Sequence, residues 1–144
     1  MIQKMEMQAP GKPLELLCEV DFKAGNVKYH NLVGYLDTGS QVTCISKRIT
    51  NQYGIQLTNE GETMTTAKES MDVESFVGDL YMGNGSIHIP RVKFRVIDNP
   101  KFEYDMIIGL DVLGSGTFCL FYDNSTKTTK VYLEIDPTNF ENLN

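Results

Sequence analysis

The residues best suited to chemistry form one tripeptide, Asp37-Thr38-Gly39, set in "LVGYLDTGSQVTCIS" between two short runs of strand-forming residues. An Asp in such a place has two physical uses. It can turn the chain, its carboxylate accepting from backbone N–H groups just beyond it. It can also act as one of a pair of carboxylates, one protonated and one ionised because two like charges a few ångströms apart cannot both persist. In such a pair the ionised member takes a proton from water while the protonated member polarises a carbonyl, which hydrolyses a peptide bond without a covalent intermediate. The flanks favour the second use. Tyr35 and Leu36 precede the Asp, and Val42, Thr43, Cys44 and Ile45 follow it, so the carboxylate is expected at the end of buried strands, where a charge needs a reason. Gly39 would let backbone approach the carboxylates closely, and the Thr38 hydroxyl could lock the loop to a partner.

Other chemistries find less support. His30 and His88 are far apart, with no Cys or acidic residue at ligand spacing, so no metal is expected. Cys18, Cys44 and Cys119 are odd in number and each sits in an apolar strand-like run. They read as buried free thiols in a reducing compartment. A net charge of -6, with only 13 Lys and Arg spread over 144 residues, argues against nucleic acid. No stretch approaches the length of a membrane span, and Gln, Lys and Glu interrupt "MIQKMEMQAPGKPLELL" where a signal peptide would be apolar. The expectation is a soluble cytoplasmic protein with neither nucleic acid nor membrane as partner.

The elements that must position Asp37 are mostly strands. In residues 14–22, Leu16, Cys18, Val20 and Phe22 alternate with more polar neighbours, the period of a half-buried strand. Gly25-Asn26 suits a tight turn, after which "VKYHNLVGYL" runs directly into Asp37. "VTCIS" is a further strand, and "SKRITNQYG" is a helix that Ser46 caps and Gly54 ends. Strands continue through "ETMTTA", "MDVESFVGDLYM" and "SIHIPRVKFRVI", with a turn at residues 83–85. The last of these changes phase at Pro90, which predicts a bulge or an edge position. "MIIG" is a buried strand, "LDVLGS" a short helix that Asp111 could cap, and "FCLFYDNSTKTTKVYLEI" a closing hairpin. Eight or nine short strands with one or two short helices make an all-β barrel or sandwich.

Three features in order, the apolar run into "LDTGS", the "QVTCIS" behind it, and "MIIGLDVLG" near the C-terminal end, resemble the retropepsin-type aspartic proteases. The resemblance covers about residues 14–135, leaving 1–13 as an N-terminal arm and 136–144 as a flexible tail. It implies an all-β acid-protease barrel, a peptide or protein substrate and no cofactor. Asp37 would be the catalytic aspartate, with Thr38, Gly39 and Ser40 supporting its loop. Ile107, Ile108 and Gly109 would lie under that loop, with Asp111 structural, and Thr66, Ala67, Lys68, Glu69 and Ser70 would form the tip of a flap. One chain carries one such aspartate and is too short for a second lobe, so activity would require a homodimer with Asp37 from each subunit on the two-fold axis. A peptide-binding module on the same fold, without cleavage, is the other reading.

Three departures from the family pattern matter. Ser40 stands where viral members usually have Ala; a hydroxyl donating to the carboxylate would favour its charged form, giving an acidic optimum on the order of pH 4 to 6. Leu110 and Gln41 replace an ion pair of the viral enzymes. The flap tip has no glycine. Met64, Met71, Phe76 and Tyr81 read as flap and core packing.

Overall fold

The computed structural model describes residues 2–9, 15–59, 63–65 and 70–141. The chain opens with β1 (Gln3–Ala9), followed by the hairpin of β2 (Leu17–Ala24) and β3 (Val27–Leu36), then β4 (Cys44–Ser46) and α1 (Lys47–Tyr53). Next come β5 (Thr63–Thr65), β6 (Ser70–Asp72), β7 (Ser75–Met82), β8 (Ile87–Ile97), β9 (Met106–Ile108) and α2 (Leu110–Leu113). The chain closes with β10 (Gly116–Asp123), β11 (Thr128–Ile135) and α3 (Thr138–Glu141).

Six strands close a barrel in the order β2-β3-β9-β4-β8-β7. The alternation read from residues 16–22 holds: Leu16, Cys18, Val20 and Phe22 all point inward and are buried. Phe22, Phe76 and Phe94 meet in the barrel interior with ring centroids 5.0 to 5.9 Å apart. Helix α1 follows its sequence signals. The Ser46 side chain accepts from the Arg48 N–H, and Gly54 ends the helix at φ 63°, a conformation that favours glycine.

The phase change at Pro90 is a bulge. Gly78 pairs with Val92 but Leu80 pairs with Ile89, so Asp79 alone faces Pro90 and Arg91. Arg91 takes up the extra residue at φ 55°, and Asp79 accepts from the Arg91 N–H at 3.3 Å and binds the His88 ring at 2.8 Å. His30 lies 3.2 Å from Asp21. Each histidine thus has a carboxylate partner brought to it by strand pairing, which linear spacing could not show. Tyr81 stacks on His88 on the outer surface, whereas Phe76 is in the core.

The structure adds elements at the two ends of the chain and corrects the reading at two places between them. Residues 3–9 form β1, which pairs with β11 along its whole length. "MDVESFVGDLYM" is two strands, β6 and β7, divided at residues 73–74. Within the segment read as a flexible tail, Asp136 accepts from the N–H and hydroxyl of Thr138 and starts α3. Cys119 is exposed, because β10 is the edge of the sheet β1-β11-β10 and an apolar sequence there does not face the core.

Burial holds the thiols of Cys18 and Cys44 in the neutral form, pushing each up to about 12; a nearby Glu19 adds to the effect at Cys18. Iodoacetamide at pH 8 should therefore modify Cys119 alone in the native protein and all three cysteines after denaturation, counted by mass spectrometry. Native modification of Cys18 or Cys44 would contradict this packing.

Candidate active site

The geometry around Asp37 follows from strand order. β9 lies between β3 and β4, parallel to the first and antiparallel to the second. Residues 37–43 connect β3 to β4 and must therefore arch over the end of β9. The first rung is the Asp37 N–H donating to the Ile108 carbonyl at 2.9 Å. The arch comes down so close to Gly109 that a Cβ built there would lie 2.4 Å from the Val42 carbonyl oxygen and 2.9 Å from that of Ser40. Only hydrogen fits. Ile108 is buried beneath the arch and Ile107 is half-buried beside it.

A clasp then ties the arch to α2. The Asp111 carboxylate accepts from the Thr43 hydroxyl at 2.7 Å, the Thr43 N–H at 3.0 Å and the Val112 N–H at 3.0 Å. The Thr43 hydroxyl oxygen in turn accepts from the Gly109 N–H at 3.2 Å. Asp111 is therefore in the first helical turn and is not the cap: Gly109 occupies that position without a side-chain bond. Backbone bonds also run from Leu110 N–H to Ser40 carbonyl at 2.8 Å and from Asp111 N–H to Gln41 carbonyl at 3.2 Å. The main chain of residues 40 and 41 is thus bonded to that of residues 110 and 111. Thr43 was not singled out in the sequence, since its partner is 68 residues away.

Asp37, at the start of the arch, is half-exposed, contrary to the burial expected from its flanks. The core takes Leu36 and Thr43 instead. Asp37 Oδ1 accepts from the Gly39 N–H at 2.8 Å, and the Ser40 N–H donates to the Asp37 carbonyl at 3.2 Å, so Asp37 makes the turn as well as presenting its carboxyl group. A Cβ on Gly39 would sit 3.1 Å from that same oxygen. The Ser40 hydroxyl donates to the Val42 carbonyl at 2.7 Å, and the expected bond from it to the carboxylate is not made. Thr38 is exposed beside it.

An open cleft of about 330 Å³ adjoins Asp37, walled by Tyr35, Phe102, Tyr104 and Ile107 with Lys101 and Glu103 at its edge. Tyr35 stacks on Tyr104 at 4.8 Å, and Phe102 meets Tyr104 edge-on at 6.1 Å. Burial, then the nearby Glu15, raises the Tyr104 phenol, keeping it protonated. A larger groove of about 900 Å³, along β1, β2 and β3, includes no residue of the 37–43 arch. Of the flap-tip candidates, Thr66, Ala67, Lys68 and Glu69 lie outside the described residues, as do the side chains of Met64 and Met71; Ser70 begins β6, which pairs with β5.

Residues 24–115 match the model of the family described as "gag-polyprotein putative aspartyl protease". The fold and this segment together define the class, and the chain belongs to that retropepsin-like family. It is similar in structure to a retropepsin-like aspartic protease from Rickettsia conorii, at 14% identity and TM-score 0.62, covering 94% of this chain and 96% of that one. The retroviral protease-like domain of Ddi1 from Leishmania major matches at 19% identity and TM-score 0.46, covering 76% of this chain and 82% of that one. No curated protein matches the sequence.

Replacing Asp111 with Ala orphans three donors in a half-buried clasp and should cost roughly 2–4 kcal/mol in urea unfolding, with Asn recovering part of it. Gly109→Ala has no flexible neighbour to displace and should cost about 3 kcal/mol or more. Wild-type stability in either Ala variant would contradict the clasp.

Proposed function

We propose that the protein is a homodimeric aspartic endopeptidase in which Asp37 of each subunit contributes one carboxyl group to a shared pair. The observation that carries this reading is the presentation of the Asp37 carboxyl group, half-exposed on an arch fixed by main-chain bonds and open to a cleft. Family membership supports it. One carboxyl alone supplies a base or an acid; peptide hydrolysis by this route needs both at once. The ionised carboxylate accepts a proton from water as the water oxygen bonds to the carbonyl carbon, and the protonated partner hydrogen-bonds the carbonyl oxygen. Collapse of the resulting diol breaks the C–N bond and passes a proton to the leaving amine. Thr38, exposed next to Asp37, is suited to reach across to the second copy, and the β5–β6 hairpin is suited to cover a bound peptide. The aromatic wall of the cleft favours apolar side chains next to the bond cut.

A mixed peptide library incubated with wild-type and Asp37→Asn protein tests the reading. Wild-type dimers should cleave, and an equally folded Asn dimer should lose at least about 10³-fold of that rate. The wild-type rate should fall as pH rises from about 5 toward 8, as the pair loses its shared proton. Cleavage unchanged by Asp37→Asn, or flat across that range, would contradict the proposal.

A further inference from the structure

Residues 98–105 carry Phe102 and Tyr104 of the cleft beside Asp37 and run directly into β9. The tip of this loop is folded on itself. The Asn99 carbonyl accepts from the Phe102 N–H at 3.0 Å, and the Asn99 side chain accepts from the Lys101 N–H at 2.9 Å. Such bonds shape the tip without fixing it to the barrel. At one end of the loop Asp98 is 79% exposed and meets Lys47 at 4.0 Å, a loose and solvated contact.

The other end is held at Asp105, whose side chain is 20% exposed. Its N–H donates to the Val33 carbonyl at 3.2 Å, and its carbonyl accepts from the Ser46 N–H at 2.9 Å. Its carboxylate accepts from the Val33 N–H at 2.8 Å and from the Arg48 guanidinium at 2.6 Å. One residue thus joins β3, β4 and α1 at the base of the loop. Tyr104, next to it in the chain, stacks on Tyr35 at 4.8 Å, and its hydroxyl bonds the Glu15 carboxylate.

We propose that Asp105, held by Arg48 of α1, is a positioning residue for this aromatic wall, setting how tightly a peptide is bound and leaving the cleavage rate to Asp37. This rests on the shared-Asp37 reading and deepens it. The division follows from which bonds the carboxylate makes. Without it the main-chain bonds to Val33 and Ser46 persist, and β9 keeps its pairing with β3 and β4, so Ile108 and Gly109 stay beneath the arch. What loosens is the segment before β9, which loses its tie to α1. A misplaced wall weakens substrate and transition state alike, which raises KM and spares kcat.

Steady-state kinetics of the wild-type, Asp105→Ala and Arg48→Ala proteins on one peptide substrate test this. KM should rise about tenfold in Asp105→Ala and about threefold in Arg48→Ala, with kcat within about twofold in both. The double variant should match Asp105→Ala, since both changes break the same bond. Asp105→Asn keeps an oxygen for the Val33 N–H and should fall between wild type and Asp105→Ala. The two Ala substitutions change the local charge in opposite senses, so a direct field on a charged substrate would move KM in opposite directions. KM unchanged in either folded variant, opposite shifts, or a fall in kcat as large as the rise in KM overturns the proposal. Hydrogen exchange read by mass spectrometry follows the same hold with no substrate. Asp105→Ala should speed exchange in residues 99–104 at least about tenfold and leave residues 106–108 protected. Unchanged exchange in 99–104 overturns the proposal whatever the kinetics. If the wild-type protein cleaves nothing while 99–104 loosen as expected, the hold on the wall stands and the shared-Asp37 reading falls.

Discussion

The passage of residues 37–43 over the end of β9 is the constraint on which the rest of the site depends. Because β9 is inserted between β3 and β4, the link between those two strands has no other route. The crossing is so close that residue 109 can carry no side chain. Carbonyl groups that the crossing turns inward would be costly without partners; the Ser40 carbonyl takes the Leu110 N–H, and that of Val42 takes the Ser40 hydroxyl. Asp111 and Thr43 close the remaining gap. The position of Asp37 is thus set by backbone topology, which tolerates wide change elsewhere in the chain. A structure with 14% identity shares the fold over 94% of this one.

Much of the barrel was legible because its strands are buried on one face and alternate cleanly. Phe22, Phe94 and the phase slip at Pro90 are examples in which period-two patterning translates directly into inward and outward side chains. Ser46 and Gly54 were legible for a different reason: capping is local chemistry, decided within a few residues. β1 escaped notice although Met5 and Met7 alternate with Lys4 and Glu6, since so short a pattern at a polar terminus gives no sign of its distant partner β11.

The site was legible in part. The tripeptide and "MIIGLD" could be found as motifs, but the insertion of β9 could not, because a strand of three residues carries no mark of its neighbours. The same gap explains two of the errors. Apolar flanks suggested a buried Asp37, which is half-exposed at the start of the arch. An apolar β10 suggested a buried Cys119, and only sheet order shows that β10 is an edge. The Ser40 hydroxyl was expected at the carboxylate, but it donates to the Val42 carbonyl two residues on, a local bond that competes with it. For Asp37 and Cys119 the residue type was read correctly and its surroundings came from pairing across tens of residues.

Fold alone does not fix function, and the central claim concerns how many chains build one site. Subunit mixing tests it most directly. Wild-type and Asp37→Asn chains are unfolded together in equal amounts, refolded, and assayed on one peptide substrate. If each site needs Asp37 from both subunits, only wild-type pairs are active and the rate falls to about one quarter of that from wild-type chains alone at the same total concentration. A rate of about one half would mean that each chain works with its own carboxylate, and would contradict the shared pair.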